Sequence, residues 1–232
     1  MDGVVLVTGA NRGIGLEFCR QMAARGDDVI AACRRTSPEL MALSVRIVEH
    51  IDVTIDASCA RLAREVKGAR IGLLVLNAGI FDSTGLGELD FDRMRREYDV
   101  DALGPLRVTQ ALLENLSPSA KIALISSIAG SIGDNGSGGN YGYRMAKAAL
   151  NMAGVSLARD LHSRGVSVVL LHPGVVDTDM LGAARASLGQ RVQSGDLISP
   201  DTAVRDMLCR IDELTLETTG RFLRRNGQLL PW

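Results

Sequence analysis

Residues 141–147 read YGYRMAK. Tyr143 and Lys147 stand four apart, so a helix places them on one face, while Tyr141, six before the lysine, points elsewhere. A phenol beside an ammonium has a lowered pKa, because the cation favours phenolate. Such a tyrosine can pass a proton near neutral pH. Alone, this spacing is common and reads first as a surface Tyr–Lys pair on an amphipathic helix. The rest of the chain has to change that reading.

A second candidate lies near the N-terminus, where VVLV runs into TGANRGIG (8–15). Gly9, Gly13 and Gly15 fall where a strand becomes a helix. Glycines there let the backbone turn tightly and approach a pyrophosphate, which rests on the helix N-terminus. The spacing is not GxGxxG, and three glycines alone are a weak signal; strand before and helix after raise it. At the end of the second strand stand Cys33, Arg34 and Arg35, where a carboxylate would select a free ribose hydroxyl. With no acid and two guanidiniums there, and Arg12 in the glycine loop, a 2′-phosphate is the better match, hence NADP(H) over NAD(H).

These residues need a scaffold. Short apolar runs at 4–7, 28–33, 45–50, 71–77, 121–126 and 166–172 barely alternate, as in strands buried on both faces of a parallel sheet. Helical patterns at about 14–25, 57–67, 89–116 and 141–163 lie between them, with a last short strand at 221–224. The alternation implies a Rossmann-type, doubly wound α/β sheet with helices on both faces, in one domain spanning 1–232. Residues 179–199 are the least regular stretch and follow a strand's carboxyl end, so a mobile substrate lid and an ordinary surface excursion are equal readings.

Composition narrows the classes. The 232 residues are 46% hydrophobic with net charge -1, so no basic excess exists to track nucleic acid. Four scattered cysteines without a CxxC argue against a zinc site or a disulfide framework and fit a reducing cytoplasm. No apolar run approaches a membrane span, and the N-terminus enters a strand without room for a signal peptide. Three histidines without a G-x-S-x-G elbow leave hydrolase chemistry little support, and no cluster has metal-ligand spacing. The Arg-rich FDRMRREYD (91–99) reads as a solvated helix face.

TGANRGIG (8–15), DVT (52–54), NAG (77–79), ISS (125–127), YRMAK (143–147) and HPGVVDT (172–178) follow one another along nearly the whole chain. In this order they resemble the short-chain dehydrogenase/reductase family. Residues 126–152 and the ending GRFLRRNGQLLPW resemble its C-factor-like subgroup. The resemblance implies an NADP(H)-dependent oxidoreductase of the carbonyl reductase type, acting on a small carbonyl compound or its alcohol. Tyr143 is then the acid/base, Lys147 its pKa-lowering partner and Ser127 the substrate-oxygen donor. The family's usual serine spacing, 13 before the tyrosine, lands on Gly130; alignment on ISS selects Ser127, with Ser126 and Ser131 as fallbacks.

By the same resemblance, Asn11, Arg12 and Ile14 join the glycine loop, and Asp52 and Val53 border the adenine. Asn77, Ala78 and Gly79 support the cofactor and the central strand. Pro173, Gly174, Val176 and Thr178 hold the nicotinamide end. One departure stands out: VDALG (100–104) puts Asp101 where the family often has an asparagine whose water links the lysine to solvent. An ionised carboxylate only accepts hydrogen bonds, and its charge near Lys147 weakens the lysine's pull on Tyr143. Family members commonly form homo-oligomers through helices around 99–116 and 141–163. An NADP(H)-sensing regulator with little turnover is the alternative reading, since the subgroup includes a protein associated with developmental signalling.

Overall fold

Strands rich in β-branched residues and helices with one apolar face cannot bury their surfaces alone, so they stack in layers. The computed structural model describes residues 3–82, 85–182 and 197–232. Seven strands form one parallel sheet in the order β3-β2-β1-β4-β5-β6-β9. They are β1 (Val4–Thr8), β2 (Val29–Ala32), β3 (Arg46–Val48), β4 (Ile71–Leu76), β5 (Leu116–Ile125), β6 (Ser167–His172) and β9 (Arg221–Arg224). Two short strands, β7 (Val175–Val176) and β8 (Leu197–Ile198), pair separately. The order runs outward in both directions from the β1–β4 pair, so a crevice opens above their carboxyl ends.

Alternate side chains of each strand feed two cores. On one face Leu6, Leu74, Ile122 and Leu170 pack against Leu62 of α3 (Asp56–Glu65), Val108 of α5 (Gly104–Ala111) and Leu150 of α6 (Tyr141–Asp160). On the other, Val5, Val7, Val75 and Leu171 pack against Phe18 and Met22 of α1 (Gly13–Ala24) and Val204 and Met207 of α7 (Pro200–Asp212). Each fully buried aliphatic or aromatic side chain contributes about 1.5–3 kcal/mol. Gly154 lets α6 press on the sheet: a Cβ there would lie 2.7 Å from Leu124 Cδ1 and from Leu170 Cδ2.

The sequence reading differs from the structure at several elements, the short strands β7 and β8 among them. The helix expected over 89–116 is divided into α4 (Phe91–Tyr98), a π turn (Asp99–Leu103) and α5, and β5 begins at Leu116. The π turn brings Gly104 against Val53, where a Cβ would stand 2.7 Å from Val53 Cγ2. Helix α7 had no counterpart in the sequence reading, as did a four-residue helix α2 (Pro38–Met41). Helix α7 is nevertheless well signalled: Ser199 accepts from the Thr202 amide as N-cap, Pro200 sits in the first turn, and Ala203, Val204, Met207, Leu208 and Ile211 recur on one face. Most of the 179–199 stretch lies outside the described residues.

Candidate active site

A cleft of about 830 Å³ lies above the switch point. Its floor is the glycine loop, with Gly9, Asn11, Arg12, Gly13 and Ile14. Gly9 and Gly13 adopt φ of 64° and 54°, which side chains with a Cβ rarely reach. Gly15 lies beneath rather than on the wall: a Cβ there would overlap Gly9 O and come within 2.5 Å of Asn77 Nδ2. Helix α1 starts without a capping side chain, so its first-turn N–H groups are left for an anion. The open helix end and glycine turn fit a dinucleotide's pyrophosphate.

Cys33, Arg34 and Arg35 line the cleft beyond β2, and Asp52 and Val53 line it beyond β3. Burial, then Glu49, pushes the Cys33 thiol up to about 11, so it stays neutral. Burial works against the Asp52 carboxylate, but hydrogen bonds from Thr54 and the charges of Arg34 and Arg96 outweigh it and hold its pKa below the ordinary value. Asn77, Ala78 and Gly79 form the wall from β4. Asn77 Nδ2 donates to Thr8 O at 3.1 Å and Gly9 O at 3.2 Å, tying β4 to the glycine loop.

Thr178 closes the cleft opposite Gly13, while Pro173, Gly174 and Val176 do not line it. Val176 is buried in β7. Gly174 has φ 87° and turns the chain beneath Ile198. Arg12 lines the cleft together with Arg34 and Arg35. Its Nη1 pairs with Asp179 Oδ2 at 3.3 Å across the mouth of the cleft. Arg96, read from sequence as solvated, lines the cleft from α4.

The second group sits past β5, where α6 packs against a short turn at 128–130. Lys147 is buried, and its Nζ donates to Ile125 O at 3.1 Å and lies 5.5 Å from the centre of the Tyr143 ring. Ser127 lies on the same side and helps lower the Tyr143 pKa. Ser127 also accepts from the Ala129 amide at 3.2 Å. The fallback serines are committed elsewhere: Ser126 donates to Asn151 Oδ1 at 2.6 Å, and Ser131 accepts from the Asp134 amide. Gly130 is a packing residue, since a Cβ there would lie 2.6 Å from Lys147 C. Phe81 meets the Tyr143 ring edge-on, 5.0 Å between centres. Tyr141, at the start of α6, has none of these partners among the described residues.

Asp101 projects from the π turn, with Oδ2 at 3.3 Å from Lys147 Nζ and Oδ1 accepting from the Ile80 amide at 2.8 Å. Burial raises the Tyr143 pKa; Lys147 and Ser127 pull it down, and Asp101 and Glu97 push it up. The phenol therefore titrates above its ordinary value, not below it as Lys147 alone would dictate. Burial opposes the charge on Lys147, but Asp101 and Tyr143 outweigh it and keep the ammonium protonated beyond its usual range. Sequence reasoning missed Glu97, which is buried behind this group while its neighbours Arg95, Arg96 and Tyr98 are exposed. His172, at the end of β6, is buried and pulled down to about 3 by burial and by Arg224 and Arg225, so it is a neutral structural residue. Among the described residues no cluster of His, Cys, Asp and Glu is arranged to hold a metal, and no helix is long and apolar enough to cross a membrane.

The chain is 40% identical over 232 residues to the 1-hydroxy-2-glutathionyl-2-methyl-3-butene dehydrogenase of Rhodococcus sp. (strain AD45), covering 98% of this chain and 99% of that protein. It is 43% identical over 165 residues to C-signal of Myxococcus xanthus, covering 70% of this chain and 93% of that protein, a C-factor-like relative. Its structure matches an NADPH-bound carbonyl reductase from chicken fatty liver with TM-score 0.86 and 33% identity, over 99% of this chain and 98% of that one. Residues 3–189 match the family model of the short chain dehydrogenases. With the glycine turn, strands β1 to β6 and the Tyr143–Lys147 pair all inside the matched residues, the chain belongs to the short-chain dehydrogenase family.

Proposed function

We propose that this protein, a single domain over residues 1–232, is an NADP(H)-dependent oxidoreductase that reduces a small carbonyl compound or oxidises the matching alcohol. The observation that carries this reading is the convergence of Ser127, Tyr143 and Lys147 beyond β5, with the Lys147 ammonium 5.5 Å from the centre of the phenol ring and Ser127 acting on its pKa. The NADPH-bound carbonyl reductase and the dehydrogenase among its relatives support the class.

The glycine loop and the N-terminus of α1 hold the pyrophosphate. Arg34 and Arg35, beside Cys33, bind the 2′-phosphate. Asp52 and Val53 border the adenine, with Asn77, Ala78 and Gly79 beneath. Thr178 closes the nicotinamide end, and Pro173, Gly174 and Val176, which do not line the cleft, shape the turn that positions it. When bound, the cofactor supplies or accepts the hydride. Ser127 hydrogen-bonds the substrate oxygen, and Tyr143 gives that oxygen its proton. Lys147 stabilises the phenolate that remains.

NADPH consumption with a panel of aldehydes, ketones and quinones, repeated with NADH and with Tyr143→Phe, tests this. Turnover with NADPH that is lost in the variant is the expected result; equal turnover by the variant contradicts it. The second reading, an NADP(H)-sensing regulator, draws on the Asp101–Lys147 pair and on the likeness to C-signal. It predicts NADPH binding without turnover. The exposed Met145 and Met152 of α6 and Phe91 and Tyr98 of α4 suit a homo-oligomer, and the four free cysteines suit a cytoplasmic location.

A further inference from the structure

Ser127 and Tyr143 come to one place from the two ends of a connection that has little stiffness of its own. Its middle reads SIGDNGSGG (131–139). Gly138, Gly139 and Asn140 then take φ of 60°, 67° and 49°, three left-handed residues in a row before α6 begins. A glycine-rich segment has many conformations open to it, so contacts elsewhere must select one.

The side chain that selects it is Arg144, half-buried on α6 directly after Tyr143. Its Nε donates to Gly138 O at 3.2 Å and to Gly139 O at 3.1 Å, and its Nη2 to Ser137 Oγ at 2.7 Å. Its Nη1 reaches the other end of the connection and donates to Ala129 O at 3.3 Å. The Ala129 peptide passes this grip to the serine, because its amide donates to Ser127 Oγ at 3.2 Å. Lys147 and Asn151, on the same face of α6, hold the flanking backbone: Lys147 Nζ donates to Ile125 O at 3.1 Å and Asn151 Nδ2 to Gly130 O at 3.4 Å. The middle of the connection is tethered separately, by the Gly133 amide on Trp232 O at 2.7 Å, so removing Arg144 frees the two ends without releasing the whole segment.

We propose that Arg144 is a positioning residue for the reaction: it clasps both ends of the 128–140 connection and so sets Ser127 against Tyr143. The proposal rests on the oxidoreductase reading. Arg144 transfers neither proton nor hydride and acts through Ser127. Its four partners are three carbonyls and a hydroxyl, spread around a planar fork whose N–H groups point in fixed directions. A lysine offers its donors from a single point and cannot span both ends. Displacing a reacting group by about 1 Å can cost about 100-fold in rate, so a loosened clasp is read in kcat.

The test is steady-state NADPH-driven carbonyl reduction by the full chain, wild type against Arg144→Ala, with and without methylguanidinium at millimolar concentration and with sodium chloride as the salt control. The variant is expected to lose about 10–100-fold in kcat while KM for NADPH stays within about twofold. Methylguanidinium should restore part of the lost kcat and sodium chloride none, a rescue that general destabilisation would not show. Arg144→Lys keeps the charge without the fork and should lose about tenfold in kcat at the same KM for NADPH; it serves if the alanine variant does not fold. With an active wild type, a variant kcat within about twofold of it overturns the clasp alone. So does a loss shared equally by NADPH binding, or one that methylguanidinium leaves untouched. A wild type that binds NADPH and reduces nothing removes the oxidoreductase reading, and the positioning role with it.

Discussion

Arg34 and Arg35 stand exposed where the cleft passes β2, whereas Lys147, Asp101 and Glu97 are buried around α6 beyond β5. The exposed guanidiniums keep their hydration, cost the fold little and stay available to an anion. The buried group has surrendered its water, so each charge depends on the others and every pKa in it is displaced. One end can be altered without unfolding the protein; the other ties catalysis, stability and protonation together.

The sharpest way to break this contrast is Lys147→Ala. It leaves two buried carboxylates without their cation, a loss expected to cost about 3–5 kcal/mol of stability and all measurable turnover. A denaturant titration at pH 8 checks it; a variant as stable as wild type would mean the carboxyls take up protons freely. Replacing Arg34 and Arg35 together by alanine should leave the melting temperature nearly unchanged. It should raise KM for NADPH by about 10–100-fold, from the loss of charge-assisted hydrogen bonds, with little effect on NADH.

Glu97 also makes stability depend on pH. Its folded pKa, about 7, lies above the ordinary 4.5, so the folded state binds more protons and stability falls as pH rises between those values. His172, at about 3 against 6.5, acts oppositely: the unfolded state binds more protons, and stability rises with pH across that window. The two slopes oppose each other between pH 4.5 and 6.5. Glu97→Gln should therefore expose a steeper rise there and gain about 1–3 kcal/mol over wild type at pH 8. Urea midpoints across that range decide it. The smallest effect belongs to the exposed Arg12–Asp179 pair: Asp179→Ala should change stability by less than about 1 kcal/mol and KM for NADPH by less than about fivefold.

The same division governs what the sequence could reveal. Strands buried on both faces announce themselves as continuous Val/Ile/Leu runs, and the glycine turn is legible because only glycine tolerates its backbone. Ser127, Tyr143 and Lys147 were singled out through motif order, and the spacing of four between Tyr143 and Lys147 is kept because α6 is regular. The π turn was not legible: it shifts backbone hydrogen bonds without a distinctive composition. Glu97 was hidden for a related reason, as the single buried residue of α4 among exposed arginines and aspartates. Arg12 lines the cleft as its place in the glycine loop implies, but its pairing with Asp179, 167 residues away in sequence, was not legible. Helix α7 was readable from its Ser-Pro cap and apolar spacing, but it follows directly on the irregular 179–199 stretch.

The central claim is that hydride from a nucleotide in the cleft reaches a substrate protonated by Tyr143. It is tested most directly by a single turnover with NADPH deuterated at both C4 positions of the nicotinamide, followed by mass spectrometry of the alcohol formed. The account predicts one deuterium on the carbinol carbon with wild type and none with Tyr143→Phe, although both bind the nucleotide. Nucleotide binding by the wild type with no deuterium in any product would contradict it.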